Sequence, residues 1–407
     1  MTKKYYPADM FARKRRTHYI RLGSIIKPLE YMYATDVHMP IRYFGVHFLF
    51  AKSRTGKSAL AKHMICQIAK HRPCLIFDYR GEYGGLKYRN ALAEHQFCIP
   101  DLVSISNFGF KLSDFEPQDF LSLGFTEAAL SPIHMITQEL TAHNNDPQAV
   151  FDILCNLPTG DEEVQSFNRD YGMFNLKMQY PIHEMTKRSL LRRFHDLLEW
   201  FISPESDRTY IANWGEFLMN NPHVRINLNI EREEQMAEAR ATCGIILRQL
   251  VPYLKRLNPV ILMDEFDKLA PAIPPESMYM PSSLSYLLQY ALKFQAYGVV
   301  LIGITQDERL VYEGLRRNWH SKILGKGCEA NFTGKLYWDY DKGIRQFIYL
   351  NENTNFRVFE PDIAGCKVDY HEKEESKQES VENKVISTLI PSKTEEVDTD
   401  KEADSLD

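Results

Sequence analysis

The residues Ala51-Lys52-Ser53-Arg54-Thr55-Gly56-Lys57-Ser58 constrain this chain more than any other feature. They match G-x-x-x-x-G-K-[ST] at every defined position except the first, where alanine stands for glycine. A loop of this kind wraps a phosphate in backbone N–H groups. It needs a glycine where a side chain would collide, a lysine to reach the β- and γ-phosphates, and a hydroxyl to meet Mg²⁺ at a helix N-terminus. Gly56, Lys57 and Ser58 fill these roles, while Ala51 restricts the loop entrance but keeps its N–H. A G-K-S tripeptide alone is common by chance. Here it follows an apolar run, Phe44 to Phe50, and opens an amphipathic stretch from Lys57 to about Lys70, which is the strand, loop and helix that such a site requires. Cys74 to Tyr79 (CLIFDY) is a second buried strand ending in an acid. Strand, helix and strand make a βαβ unit, so the fold class is α/β, with a mostly parallel sheet flanked by helices.

Later segments supply what a phosphate loop needs opposite it. Val260 to Met263 is a short apolar strand followed by Asp264 and Glu265, and ligands of open α/β sheets bind at the C-terminal ends of strands. Asp264 is expected to hold Mg²⁺ through water. Glu265 is expected to orient and deprotonate the attacking water, because hydrolysis of a γ-phosphate is mainly positioning and charge stabilisation. Val299 to Ile304 is a further strand, ending in Thr305 and Gln306, and Gln306 is a candidate sensor of the γ-phosphate. For Asp78 and Glu82, a structural turn and a catalytic role are equally open. Val224 to Leu228, Lys322 to Leu324, Phe347 to Leu350 and Phe356 to Phe359 read as additional strands, with helices from about Glu233 to Arg256 and around Ser282 to Phe294. Residues 105–220 carry apolar side chains at three and four spacing and read as a helical insertion after the second strand.

The overall charge of −5 argues against a strongly basic nucleic-acid-binding protein, but it averages unlike parts. From Asp369 to Asp407 there are 13 acidic and 5 basic side chains, leaving 44 basic and 41 acidic in residues 1–368. The first 25 residues carry a net +6. The organisation expected is a basic N-terminal arm (1–40), a nucleotide-binding domain (41–368) and an acidic, disordered tail (369–407). Aromatic side chains in the arm, such as Tyr5, Tyr6, Phe11 and Tyr19, suit either base stacking or packing on the domain. No apolar stretch reaches the ~18 residues of a membrane span, and no secretory signal is seen, so an intracellular location is expected. Seven scattered cysteines without a C-x-x-C pair fit reduced thiols.

In their order along the chain these motifs resemble the HerA/FtsK superfamily of P-loop ATPases, specifically the HerA-type translocase core, over about residues 42–365. The phosphate loop AKSRTGKS, FDYRGEY, the stretch RATCGIILRQLVPYLKRLNPVILMDEFDKLAP, AYGVVLIGITQ and QFIYLNENTNFRVFEP each look like a family segment. The resemblance implies a RecA-like (ASCE) fold, ATP and Mg²⁺ as cofactors, and a hexameric ring that threads DNA. Two departures stand out. Only some 40 residues precede the strand of the phosphate loop, where the family usually has a β-barrel, which is closer to the compact ATPases that package viral genomes. Gln295 stands where the family often has an arginine that serves the neighbouring subunit's ATP. A trans-acting cation is then expected from Lys293, Arg309, Arg316 or Arg317.

The function these features favour is an ATP-driven DNA translocase or helicase-type motor, with a nuclease or a capsid as a possible partner and, if viral, the host cytoplasm as its place. The alternative is an ATP-gated scaffold or switch with slow hydrolysis, suggested by Gln295 and the large insertion. A phosphotransferase with the same loop finds no acceptor lid in the sequence.

Overall fold

The computed structural model describes residues 18–25, 36–41, 45–87, 98–141, 146–172, 176–198, 200–202, 206–228, 230, 235–272, 282–328, 336, 338–339, 344–351 and 356–361. The chain separates into two units, Met1–Tyr370 and His371–Asp407. The acidic tail and residues 1–17 of the basic arm lie outside the described residues.

The first elements are two short strands, β1 (His18–Ile25) and β2 (Asp36–Ile41). β3 (Gly45–Phe50) then leads through the phosphate loop into α1 (Lys57–Ala69) and back to β4 (Cys74–Asp78). After β5 (Val103–Ile105) and β6 (Phe108–Gly109) come α2 (Pro117–Ser122), α3 (Glu127–Thr141), α4 (Pro147–Cys155), α5 (Asp161–Tyr171) and α6 (Glu184–Leu197). β7 (Thr209–Tyr210) and α7 (Trp214–Asn220) precede β8 (His223–Asn227) and α8 (Met236–Leu250). β9 (Val260–Met263), α9 (Ser282–Tyr297), β10 (Val300–Thr305) and β11 (Ser321–Leu324) follow. The small strands β12 (Trp338–Asp339) and β13 (Ile344–Arg345) pair with each other before β14 (Phe347–Asn351) and β15 (Phe356–Pro361) close the fold.

Eleven of these strands form one sheet in the order β2-β1-β15-β14-β11-β3-β10-β9-β4-β8-β5. From β11 to β5 every pairing is parallel, and from β11 outward to β2 every pairing is antiparallel. Helices cover the parallel part on both faces, so β3, β4, β9 and β10 are buried at every position and read as unbroken apolar runs. One face takes α1, whose Leu60, Met64 and Ile65 pack on Ile76, Leu262 and Ile302. The other takes α2 to α9, with Phe120, Phe194, Trp214 and Leu247 in a core that reaches Phe48, Phe77 and Met263. The described chain between β5 and β8 is mostly helical, with one parallel ladder, β6 on β7, that the periodicity did not suggest.

The N-terminal arm is where structure and expectation part. Residues 18–25 and 36–41 are strands of the main sheet, and Ile20, Leu22, Val37, Met39 and Ile41 are buried while Tyr19 and His38 face outward. The physical reason is a period of two. Charged residues occupy alternate positions, so a count of charges records a solvated arm where the alternation specifies a half-buried strand.

Candidate nucleotide site

The phosphate loop leaves the C-terminal end of β3 and turns sharply into α1. Gly56 has φ 89 and ψ 16, a left-handed conformation that favours glycine, and Arg54 has φ 64. The hydroxyl of Thr55 donates to the carbonyl of Lys52 at 2.7 Å, and Leu60 N–H closes the first helical turn on Gly56 O at 3.0 Å. The first turn of α1 has no acidic residue, so its orphan N–H groups face a space suited to an anion. Lys57 is buried, Ser58 is half-buried, and Lys52, Ser53 and Arg54 are exposed.

Ala51 is fully buried and donates its N–H to Thr305 O at 3.2 Å. What accommodates its methyl group is a second segment that the sequence did not point to. Gly325, just after β11, donates to Phe50 O at 2.7 Å, and a Cβ at Gly325 would lie 2.6 Å from that of Ala51. Thus the glycine missing from the loop has a counterpart facing it. Lys52 N–H bonds to Lys326 O at 3.4 Å, and Gly327, at φ 87, lies where a Cβ would strike the Lys52 stem.

The register of the sheet sets the acidic pair opposite the loop. β10 lies between β3 and β9, with Thr305 beside Phe50 and Gly303 beside both Phe48 and Met263. Asp264 therefore emerges one strand away from the strand that carries the loop. It is 3% exposed, and burial, followed by the charges of Asp78, Glu82 and Glu265, pushes its carboxyl well above the ordinary range, with Lys57 opposing. Glu265 follows in a left-handed backbone, φ 45 and ψ 50, at the head of the helical turn Phe266–Leu269. Arg80 stands 4.0 Å from its carboxylate.

Asp78 has a different task. Its carboxylate accepts the N–H groups of Gly81 (2.9 Å), Glu82 (3.0 Å) and Tyr83 (2.8 Å). It also accepts Arg225 Nε at 2.7 Å, while Arg225 Nη1 donates to Ser104 Oγ at 2.8 Å. With all these bonds made and no exposed surface, Asp78 anchors the turn that presents Arg80 and Glu82. Thr305 is also buried, and its hydroxyl donates to Asp267. Gln306, the next residue, is half-buried at the end of β10. Lys62, five residues after Lys57 on α1, is a buried cation 5.7 Å from the Tyr83 ring centre, its pKa lowered mainly by burial. A lysine on the apolar face of α1 was its one signal in the sequence.

Residues 21–250 match the family described as Helicase HerA, central domain, which is more than half of the chain. The chain belongs to the HerA family of P-loop ATPases. No curated protein matches it in a sequence search. Among solved structures, VirB4 of Thermoanaerobacter pseudethanolicus is 13% identical, with 86% of this chain and 98% of that one covered at a TM-score of 0.51. The plasmid coupling protein TrwB in complex with the non-hydrolysable ATP analogue ADPNP is 12% identical, with 87% and 97% covered at 0.51. The same protein with the GTP analogue GDPNP is 11% identical, with 86% and 98% covered at 0.51. At these identities the likeness concerns the fold, a mostly parallel sheet of the P-loop ASCE kind.

The family match ends at Leu250, so the placement of Asp264, Glu265 and Gln306 in this HerA-family chain rests on its own geometry. Among the described residues no three His, Cys, Asp or Glu side chains are grouped as a metal cage. That fits Mg²⁺, which keeps waters and takes ligands from bound phosphates rather than from an all-protein cage. Ser58 and Asp264 are the protein groups placed to assist, and the crowding of carboxylates around Asp264 suits a cation there. Of the trans-acting candidates, Arg309 pairs with Asp307 at 2.7 Å and Arg317 with Glu313 at 2.5 Å. Lys293 is exposed at the kink of α9, Arg316 is half-buried, and the side chain of Gln295 lies outside the described residues.

Proposed function

We propose that this protein is an ATP-driven motor that hydrolyses ATP in an oligomeric ring to move DNA. The observation that carries the hydrolytic part is the register β3-β10-β9, which sets an anion-binding loop and a buried acidic pair one strand apart at one sheet edge. In this reading residues 51–58 hold the phosphates and Lys57 neutralises the β- and γ-phosphate charge. Ser58 and Asp264 hold Mg²⁺, which when bound offsets charge on the phosphates. Glu265 orients the attacking water and accepts its proton, and Gln306 contacts the γ-phosphate. The DNA part is supported by the family's description as a helicase and by a fold shared with a plasmid coupling protein. No helix among the described residues is long and apolar enough to cross a membrane.

The test is ATP hydrolysis with and without duplex and single-stranded DNA. Lys57→Ala is expected to lose nucleotide binding. Glu265→Gln is expected to keep binding and lose turnover by roughly 10²–10⁴-fold, the range for removal of a general base. Hydrolysis indifferent to every form of DNA would remove the motor. Nucleotide-dependent assembly with almost no turnover would favour the switch.

A further inference from the structure

Glu265 has a neighbour that the phosphate chemistry does not account for. Arg80 brings Nη2 to 4.0 Å from Glu265 Oε1, and the two partners differ sharply in exposure, 57% for the arginine side chain against 9% for the glutamate. Both backbones are fixed. Glu265 sits in the left-handed region, which a residue with a Cβ adopts only where its surroundings impose it, and its carbonyl is capped by Lys268 N–H at 2.8 Å. The turn bearing Arg80 is held by the three N–H bonds to Asp78, itself held by Arg225. The part of the pair able to move is therefore the Arg80 side chain, which extends into solvent at the edge where the nucleotide would bind.

We propose that Arg80 is a positioning residue that restrains Glu265, and that a polyanion reaching this edge draws Arg80 away and releases the carboxylate to act on water. The proposal rests on the reading of Glu265 as the water-orienting base. A carboxylate whose lone pairs face a guanidinium has fewer to offer a water molecule. An ion pair with one partner this exposed is weak, so displacement is easy, and arginine binds phosphate in a bidentate, charge-assisted geometry. Hydrolysis would then wait on the polyanion without any change in the phosphate loop.

The experiment is steady-state ATP hydrolysis by the full chain, wild type, Arg80→Ala and Arg80→Lys, without polyanion, with duplex DNA and with heparin. Arg80→Ala is expected to raise kcat without polyanion about two- to fivefold, the factor a weak ion pair is worth. KM for ATP stays unchanged, and stimulation by DNA and heparin shrinks by the same factor. Arg80→Lys, which keeps the charge but not the fork, is expected to fall between. A basal kcat in Arg80→Ala equal to or below the wild-type value, with stimulation intact, overturns the proposal and leaves the motor standing. That pattern would mark Arg80 as a brace of its turn. Absence of hydrolysis in the wild-type protein would remove the reading of Glu265 and this proposal with it.

Discussion

Asp264 shows what the site demands of the fold. A carboxyl group that holds its proton more tightly in the folded than in the unfolded chain contributes less stability as pH rises above its ordinary value of 3.8. At neutral pH the nucleotide-free protein therefore carries a destabilising charge at its centre. Asp264→Asn removes that charge and keeps the shape. It is expected to raise the Tm of the nucleotide-free protein by a few degrees at pH 8, with a smaller gain at pH 5, while ATP hydrolysis is lost; an equal or lower Tm at pH 8 in thermal scans would contradict this. Residue roles of this kind were partly legible. Gly56, Lys57, Ser58 and the Asp264–Glu265 pair stand in local patterns, because a loop entering a helix and a strand ending in acids are short-range features. The role of Asp78 was not legible, because its decisive partner, Arg225, lies 147 residues away. Gly325 was hidden for the same reason, since its contact with Ala51 exists only across the sheet.

At the scale of elements, α8 joins the helical region to the acidic strand. Near its start Arg240 Nε donates to Lys268 O at 2.8 Å, just past Glu265. Near its end Arg248 reaches α2, donating to the Asp119 carboxylate at 2.5 Å and to the carbonyl of Asp114, with Glu116 at 3.3 Å. Asp119 is fully buried, and burial raises its pKa against the pull of Arg248. Ser122 Oγ, one turn on, accepts the first N–H of α9 at 2.6 Å. Arg248→Met would leave Asp119 buried without its cation, a change that typically costs about 3–5 kcal/mol. A large drop in denaturation midpoint is expected for Arg248→Met, and a much smaller one when Asp119→Leu accompanies it. If the double variant is no better than the single, the pair is not the joint. The helix was legible from its period, but it was read to Arg256. It ends at Leu250 because Pro252 cannot continue the hydrogen-bond ladder, and Val251–Tyr253 tightens into a 3₁₀ turn.

The whole molecule is closed by strands that the charge pattern concealed. β1 lies between β2 and β15, so the first described hairpin extends the sheet from its last strand, with Gly23 opposite Pro361. The hairpin also grips the helix of the phosphate loop. Arg21 N–H donates to Gln67 Oε1 at 2.9 Å, and Gln67 Nε2 returns a bond to Arg21 O at 2.8 Å, so a side chain on α1 takes the place of a neighbouring strand. Ile20, Leu22, Val37, Met39 and Ile41 are each buried, and such side chains contribute about 1.5–3 kcal/mol apiece. Together they rival the roughly 5–15 kcal/mol that holds a typical domain folded. Removal of residues 1–41 is therefore expected to yield an aggregated or loosely folded chain, whereas a detachable basic arm would leave a soluble domain with an unchanged Tm. A milder probe asks the same question of folded protein. A Cβ at Gly23 would lie 2.1 Å from the backbone oxygen of Glu360, so Gly23→Ala must push the hairpin off β15. Its Tm is expected to fall by several degrees and its nucleotide affinity to weaken with it, because α1 is held through Arg21. A Gly23→Ala variant with the wild-type Tm and affinity would show that the hairpin is an appendage after all.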